Sequence, residues 1–178
     1  AGSKIWTLSG TNGEPFGDCA ATIGVTFTAS SSTFKYTGNN GLGNTIIKPV
    51  TYYNLTLDNV SETFVNCTGT TTMNNNLSID SGTLDASVNS GDLSIKGNYS
   101  NSGTFEAGTR TVTMAATDTG HTLSGTMTGS SAFYNLTFNG SGGAWSFGSN
   151  SATVDNTFTI TNGTLTAPST TLTVGKNF

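Results

Sequence analysis

Charge is what this sequence has least of. Six Lys and Arg, ten Asp and Glu and one His make up the ionisable set of 178 residues, and charged residues are 9% of the chain, against about 25% in an ordinary globular domain. The basic residues Lys4, Lys35, Lys48, Lys96, Arg110 and Lys176 are scattered, and the net charge is −4. Nucleic acids and anionic membranes recruit clustered Lys and Arg, so the composition argues against both as partners. Apolar runs are short as well: none approaches the ~18 residues of a membrane-spanning helix. No signal peptide is visible, and the Ala-Gly-Ser start is compatible with a cleaved one. Proline occurs three times, and no stretch carries the 3.6-residue apolar period of an amphipathic helix.

What fills the space is hydroxyl: nearly a third of the chain is Ser or Thr, with recurrent Asn and frequent Gly beside them. Low charge with low hydrophobicity can signal disorder. Here aromatics reach 10% and apolar residues alternate with polar ones, which points to ordered strands with a neutral, hydroxyl-coated solvent face. In KIWTLS, VTFTA, YNLTL, LSIKG, TVTM and FTITNGTLTA the period is two, and Gly, Asn or Ser punctuates every 8–12 residues. Phe158 and Ile160 point one way, Thr159 and Thr161 the other, and Asn162-Gly163 then tolerates positive φ at a turn.

The chain also repeats itself. TYYNLTLDN at 51–59 recurs as AFYNLTFNG at 132–140, and NNNLSIDSGTLDA at 74–86 as DNTFTITNGTLTA at 155–167. DLSIKGNY at 92–99 matches TLTVGKNF at 171–178 after a two-residue slip, and VTFTASSSTFKY at 25–36 resembles GTFEAGTRTVTM at 103–114. The chain therefore reads as one domain over 1–178, with an irregular N-terminal segment (1–22), a first repeat region (23–99) and a second (100–178). Two all-β architectures fit. One is a β-solenoid, parallel β-helix-like, with about two repeats of ~80 residues; the other is a β-sandwich or jelly roll completed by donor-strand exchange. Residues recurring in register favour the solenoid, as does low charge, because coil stacking would set like charges about 4.8 Å apart. Coils of ~20–25 residues would number seven or eight and rise on the order of 35–40 Å.

The motifs Tyr52 to Leu57 with Phe133 to Phe138, Asn162 to Thr166, and Leu172 to Phe178 resemble the long Thr/Asn/Gly-rich repeats of bacterial and archaeal cell-surface, adhesin-like proteins. The resemblance covers about residues 25–178 and implies surface exposure and a stalk, filament or adhesive role. Those proteins are long arrays, whereas this chain holds about two units.

The repeat phase points to the ends. TLTVGKNF stops where the internal copy at 94–99 runs on into SNSGTFEAG. Leu172, Val174 and Phe178 look uncapped, and Ile5, Trp6 and Leu8 are equally strand-like and apolar. Open strand edges template another chain, and two dissimilar ends join head to tail. Residues 4–9 or 171–175 could instead complete a neighbour's sheet.

In an oxidising compartment Cys19 and Cys67 are expected to pair, clipping the N-terminal segment to the repeat body, with two buried free thiols as the alternative. Eight N-x-S/T sequons occur. Asn54 and Asn135 share one repeat position and suit a stacked Asn ladder, whereas Asn59, Asn139 and Asn162 sit in turn-like contexts and are the glycosylation candidates. For catalysis the material is thin. Asp118 and His121 can bond but lack a nucleophile, and Asp80, Asp85 and Asp92, which could sit on neighbouring turns, have Thr in the other copy. No metal spacing is present, so we expect no enzyme activity and no cofactor. Tyr36, Tyr52 and Trp145 are candidates for stacking on sugars. Ice binding requires Thr at one position of every coil, and along the sequence the Thr pairs drift. The expectation is a structural subunit of an extracellular filament or cell-surface assembly, polymerising with itself. A glycan-binding surface module is the alternative, and a β-helix carbohydrate-active enzyme or ice binder stands behind it.

Overall fold

The computed structural model describes residues 3–10, 15–16, 19, 31–39, 41 and 44–178. The proposed start of the repeat near Ile23, and the 25–30 part of the upstream match, lie outside the described residues. The chain is all-β, and among the described residues every strand pairing is parallel. It is a β-solenoid of about six turns, not a sandwich.

Each turn contributes a short strand to each of three faces. The first face stacks Ile5–Leu8, Thr33–Tyr36, 54–57, 77–79, Tyr99–Asn101, His121–Gly125, 145–146 and 164–166. The second stacks Asn44–Ile47, 63–66, 83–85 and Thr104–Glu106, then Met127, 152–154 and Leu172–Val174. The third stacks Thr51–Tyr52, Gly69–Met73, Gly91–Ile95, Thr111–Met114, 135–138 and 157–160, with Asn177 bridging Thr157. Six full turns separate Thr33 from Thr164, fewer than the seven or eight expected, because the chain before Thr33 adds only Ile5–Leu8 among the described strands. At about 4.8 Å per turn those six turns rise about 29 Å.

Period two explains the packing. Alternate residues enter the coil and stand on their equivalents one turn away: Leu55, Leu77, Tyr99 and Leu123 on the first face, Phe64, Leu84 and Phe105 on the second, Met73, Ile95, Met114 and Phe138 on the third. All are essentially fully buried. Aromatic rings fill the wider parts of the interior: Phe34 against Tyr52, Tyr99 against Phe105 and Phe133, and Phe138 against Trp145, Phe147 and Phe158. Where the chain turns a corner, buried polar atoms pair locally, as when Thr71 Oγ1 donates to Asn66 Oδ1 at 2.6 Å. Gly163 takes φ +96° at the corner foreseen for Asn162-Gly163, and a Cβ there would lie 2.6 Å from the Trp145 ring.

The two sequence copies occupy different faces. Asn54 to Leu57 lies on the first face and its copy, Asn135 to Phe138, on the third. Residues 77–79 and 83–85 lie on the first and second faces, and their counterparts 158–160 and 164–166 on the third and first. Leu93 to Ile95 is on the third face and Leu172 to Val174 on the second. Between Asn54 and its copy Asn135 the chain makes about three and two-thirds turns, taking the coil from Leu55 to Leu77 as the unit. The second copy is thus rotated by one face, and a strand-plus-corner sequence fits any of the three.

Tyr36 and Tyr52 share a hydroxyl–hydroxyl bond of 3.1 Å inside the coil, and Tyr52 also donates to the Lys48 carbonyl at 3.2 Å. Burial pushes the Tyr36 phenol well above its ordinary value of 10.0 and Tyr52 up to about 12. The fold therefore favours neutral phenols, and this contribution is complete below pH 10 and lost as the pH rises through 10 towards 12. For Tyr52 alone the loss is on the order of 2–3 kcal/mol. Urea midpoints should be flat up to about pH 9.5 and fall steeply above it; a Tyr36→Phe/Tyr52→Phe chain should lose much of that drop.

Candidate functional site

The two ends of the solenoid expose residues that belong, by register, to the interior. Trp6 pairs with Phe34 and Leu8 with Tyr36, so both continue the inward row of the first face, whereas Ile5 opposite Thr33 stands in the outward row. Trp6 is 57% exposed, stacking on Phe34 with ring centroids 6.2 Å apart. At the other end Leu172 and Val174 pair with buried Ala152 and Val154, yet are themselves only half-buried. Phe178 is 90% exposed and stacks on Phe158 at 5.4 Å. Two further residues complete this apolar end-plate and escaped the sequence reading: Ile160, in register with Phe138 and 44% exposed, and Leu165, in register with Trp145. The inward parity of Phe158 and Ile160 was the available signal. A cleft lined by Thr157, Phe158, Thr159, Ile160, Asn177 and Phe178 marks the same end. Both candidate donor strands pair within their own chain, Ile5–Leu8 with Thr33–Tyr36 and Leu172–Val174 with 152–154. No strand exchange is needed to complete the coil.

Asn ladders run along the corners. Asn54 Nδ2 donates to Thr33 Oγ1 at 3.1 Å, and Asn54 Oδ1 accepts from Asn76 N at 3.2 Å. Asn76 Oδ1 accepts from Asn98 N, and Asn98 Oδ1 from Thr122 N, each at 2.8 Å. Asn135 does the same at the corner before the third face, accepting from Asn156 Nδ2 at 2.8 Å. These ladders are half-buried. Of the glycosylation candidates, Asn59 is tied down, its Nδ2 donating to the carbonyls of Thr37 (3.0 Å) and Gly38 (3.3 Å). Asn139 and Asn162 are exposed and stack on one another, Asn162 Nδ2 donating to Asn139 Oδ1 at 2.8 Å.

The titratable groups do not assemble. Asp80 bonds Ser78, Asp85 Oδ1 accepts from Ser87 N at 2.7 Å, and Asp92 Oδ1 accepts from Thr111 N at 2.9 Å. These three carboxylates follow one turn around its three sides, not one side over neighbouring turns. His121 Nε2 lies 2.7 Å from Asp118 Oδ1. That hydrogen bond holds the Asp118 carboxyl below its usual range, on a side chain 79% exposed. Lys35 pairs with Asp58 at 2.7 Å, lowering the Asp58 pKa and raising its own. Among the described residues no group of three His, Cys, Asp or Glu could hold a metal. Tyr36, Tyr52 and Trp145 are not surface aromatics: their exposures are 0%, 1% and 2%, because each falls on the inward parity of its strand. They cannot stack on a sugar.

Cys19 and Cys67 form a disulfide with Cα atoms 5.4 Å apart, and the Cys67 amide donates to Ile47 O at 3.1 Å. The N-terminal segment is thereby clipped to the corner after the second face, as expected. Among the described residues no helix is long and apolar enough to cross a membrane.

Parallel pairing, three faces and register-matched interior rows define the class, a three-sided parallel β-solenoid with one disulfide. No protein-family model matches the chain, and neither curated proteins nor solved structures give a match.

The disulfide closes 48 residues of chain, which in the loop-entropy picture is worth about 4 kcal/mol. Reduction, or Cys67→Ser, should lower the unfolding free energy by about that amount in urea titrations. An unchanged midpoint would mean the clip constrains nothing.

Proposed function

We propose that the chain is a non-catalytic structural subunit of an extracellular filament or cell-surface assembly, built by stacking copies head to tail. The observation that carries this reading is the parallel, in-register stack itself, whose outermost described strands, Ile5–Leu8 and Leu172–Val174, present unlike apolar surfaces. Leu165, Ile160, Leu172, Val174 and Phe178 continue interior rows at one end, and Trp6 and Leu8 do so at the other. Strand edges of this kind pair with further parallel strands. Joined head to tail, Trp6 and Leu8 of one copy stand over the row that ends at Leu165 of the next, and the solenoid continues. The ends differ, so the contact is heterologous and propagates. A disulfide supports an oxidising, extracellular setting, and the Thr/Asn/Gly-rich motifs support a surface protein of the adhesin-like repeat kind. Exposed Asn139 and Asn162 are the sequons open to a glycan.

The test uses the 178-residue chain itself. Sedimentation should show mass growing with concentration, and electron microscopy should show unbranched fibres with an axial repeat on the order of 35–40 Å. Ile160→Asp, which puts a charge on the end-plate at a position already exposed, should leave a folded monomer. A wild-type chain that stays monomeric at every concentration contradicts the proposal.

A further inference from the structure

The third face carries an unbroken row of hydroxyls. Its outward positions, one per turn, are Thr51, Thr72, Ser94, Thr113, Thr137 and Thr159, each directly in register with the next. Along the sequence these residues drift, because the coils between them differ in length. The step from Leu93 to Val112 is several residues shorter than the step from Thr111 to Asn135. The fold absorbs the difference at its corners and returns every hydroxyl to one line. A second outward row lies beside the first: Thr70, Asp92, Thr111, Asn135 and Thr157. Three strands thus present a Thr-x-Thr pair, at 70–72, 111–113 and 157–159.

The backbone fixes the spacing. Hydroxyls recur about every 4.8 Å along a row, and the two rows stand about 6.6 Å apart, so that six levels span about 24 Å. Thr72, Ser94, Thr113, Thr137 and Thr159 are half-buried, and the four Thr among them are β-branched and stiff at χ1. Their hydroxyls are also unspent: among the described residues, none of these five makes a side-chain hydrogen bond. In the second row Asp92 and Asn135 are turned to corner bonds, Asp92 to Thr111 N and Asn135 to Thr111 Oγ1 and Asn156.

The other faces lack this arrangement. On the first, the outward row Thr7, Lys35, Thr56, Ser78, Ser100 and Ser124 is interrupted by Lys35, which is paired with Asp58, and its Ser78 and Ser124 hydroxyls are bonded to Asp80 and to the Tyr99 carbonyl. On the second, Thr63, Thr83 and Thr104 are in line, but the row is broken by the 3-10 turn Gly129–Ser131.

We propose that the third face binds an ordered water lattice, that is, the surface of ice. A regular, rigid array of free hydroxyls and methyls suits a ligand that is itself a regular, uncharged array of oxygens. Neither row holds an aromatic ring to stack on a sugar or a Lys or Arg for phosphate. The proposal does not rest on filament assembly, since the ends and the third face are separate surfaces.

The test is ice-recrystallisation inhibition and ice-crystal shaping with the 178-residue chain. The wild type should slow crystal growth and facet the crystals. Thr113→Lys and, separately, Thr137→Tyr should lose both effects while keeping the wild-type circular dichroism spectrum and melting temperature. Ser100→Lys, on the outward row of the first face, should retain them. The proposal is overturned if the wild type leaves ice growth unchanged, or if Ser100→Lys loses as much as Thr113→Lys. Retention on crystalline cellulose or chitin without any effect on ice would also overturn it and assign the face to a polysaccharide.

Discussion

Everything in this molecule depends on one constraint: each strand must lie parallel and in register over the strand one turn earlier, about 4.8 Å away. The constraint puts like beside like. An apolar side chain inside a turn touches the equivalent side chain of the next, so Leu55, Leu77, Tyr99 and Leu123 form a continuous row. A side-chain amide at a corner meets the backbone N–H of the next corner, so Asn54, Asn76 and Asn98 bond in series. Like charges repeated at one outward position would stand about 4.8 Å apart, and hydroxyls take most of those places instead. Low charge, many Thr and recurrent Asn are therefore consequences of stacking.

Corners are where the constraint relaxes. Turns of unequal length all return to register because extra residues are housed between strands, as in the 3-10 turn Gly129–Ser131. The rotated repeat has the same origin. Three faces with equivalent demands accept the same strand-and-corner sequence, so a copy displaced by two-thirds of a turn still folds. Asn54 and Asn135 serve alike on the first and third faces.

Much of the architecture was legible in the residues. Alternation in YNLTL and FTITNGTLT gave the strands, recurrence of Asn gave the ladders, and an even cysteine count gave Cys19–Cys67. What was not legible is parity and register. Alternation says that Tyr36 and Lys35 face opposite ways, but not which faces in, and Tyr36, Tyr52 and Trp145 proved to be interior. The hydroxyl row on the third face was invisible for a related reason. A line through Thr72, Ser94 and Thr113 has no fixed spacing in sequence and exists only once variable corners are folded away. The exposed apolar surface of the last described turn was half visible: Leu172, Val174 and Phe178 stood out, while Ile160 and Leu165 join it only through their register with Phe138 and Trp145.

Both functional proposals stand on that register, one through the rows that end at the poles and the other through the row that crosses the third face. The most direct measurement is the separation of spin labels at residues 72 and 159, four turns apart on one outward row. In-register stacking gives a narrow distribution at a backbone separation of about 19 Å. A broad distribution, or one centred well beyond four strand spacings, would contradict the account.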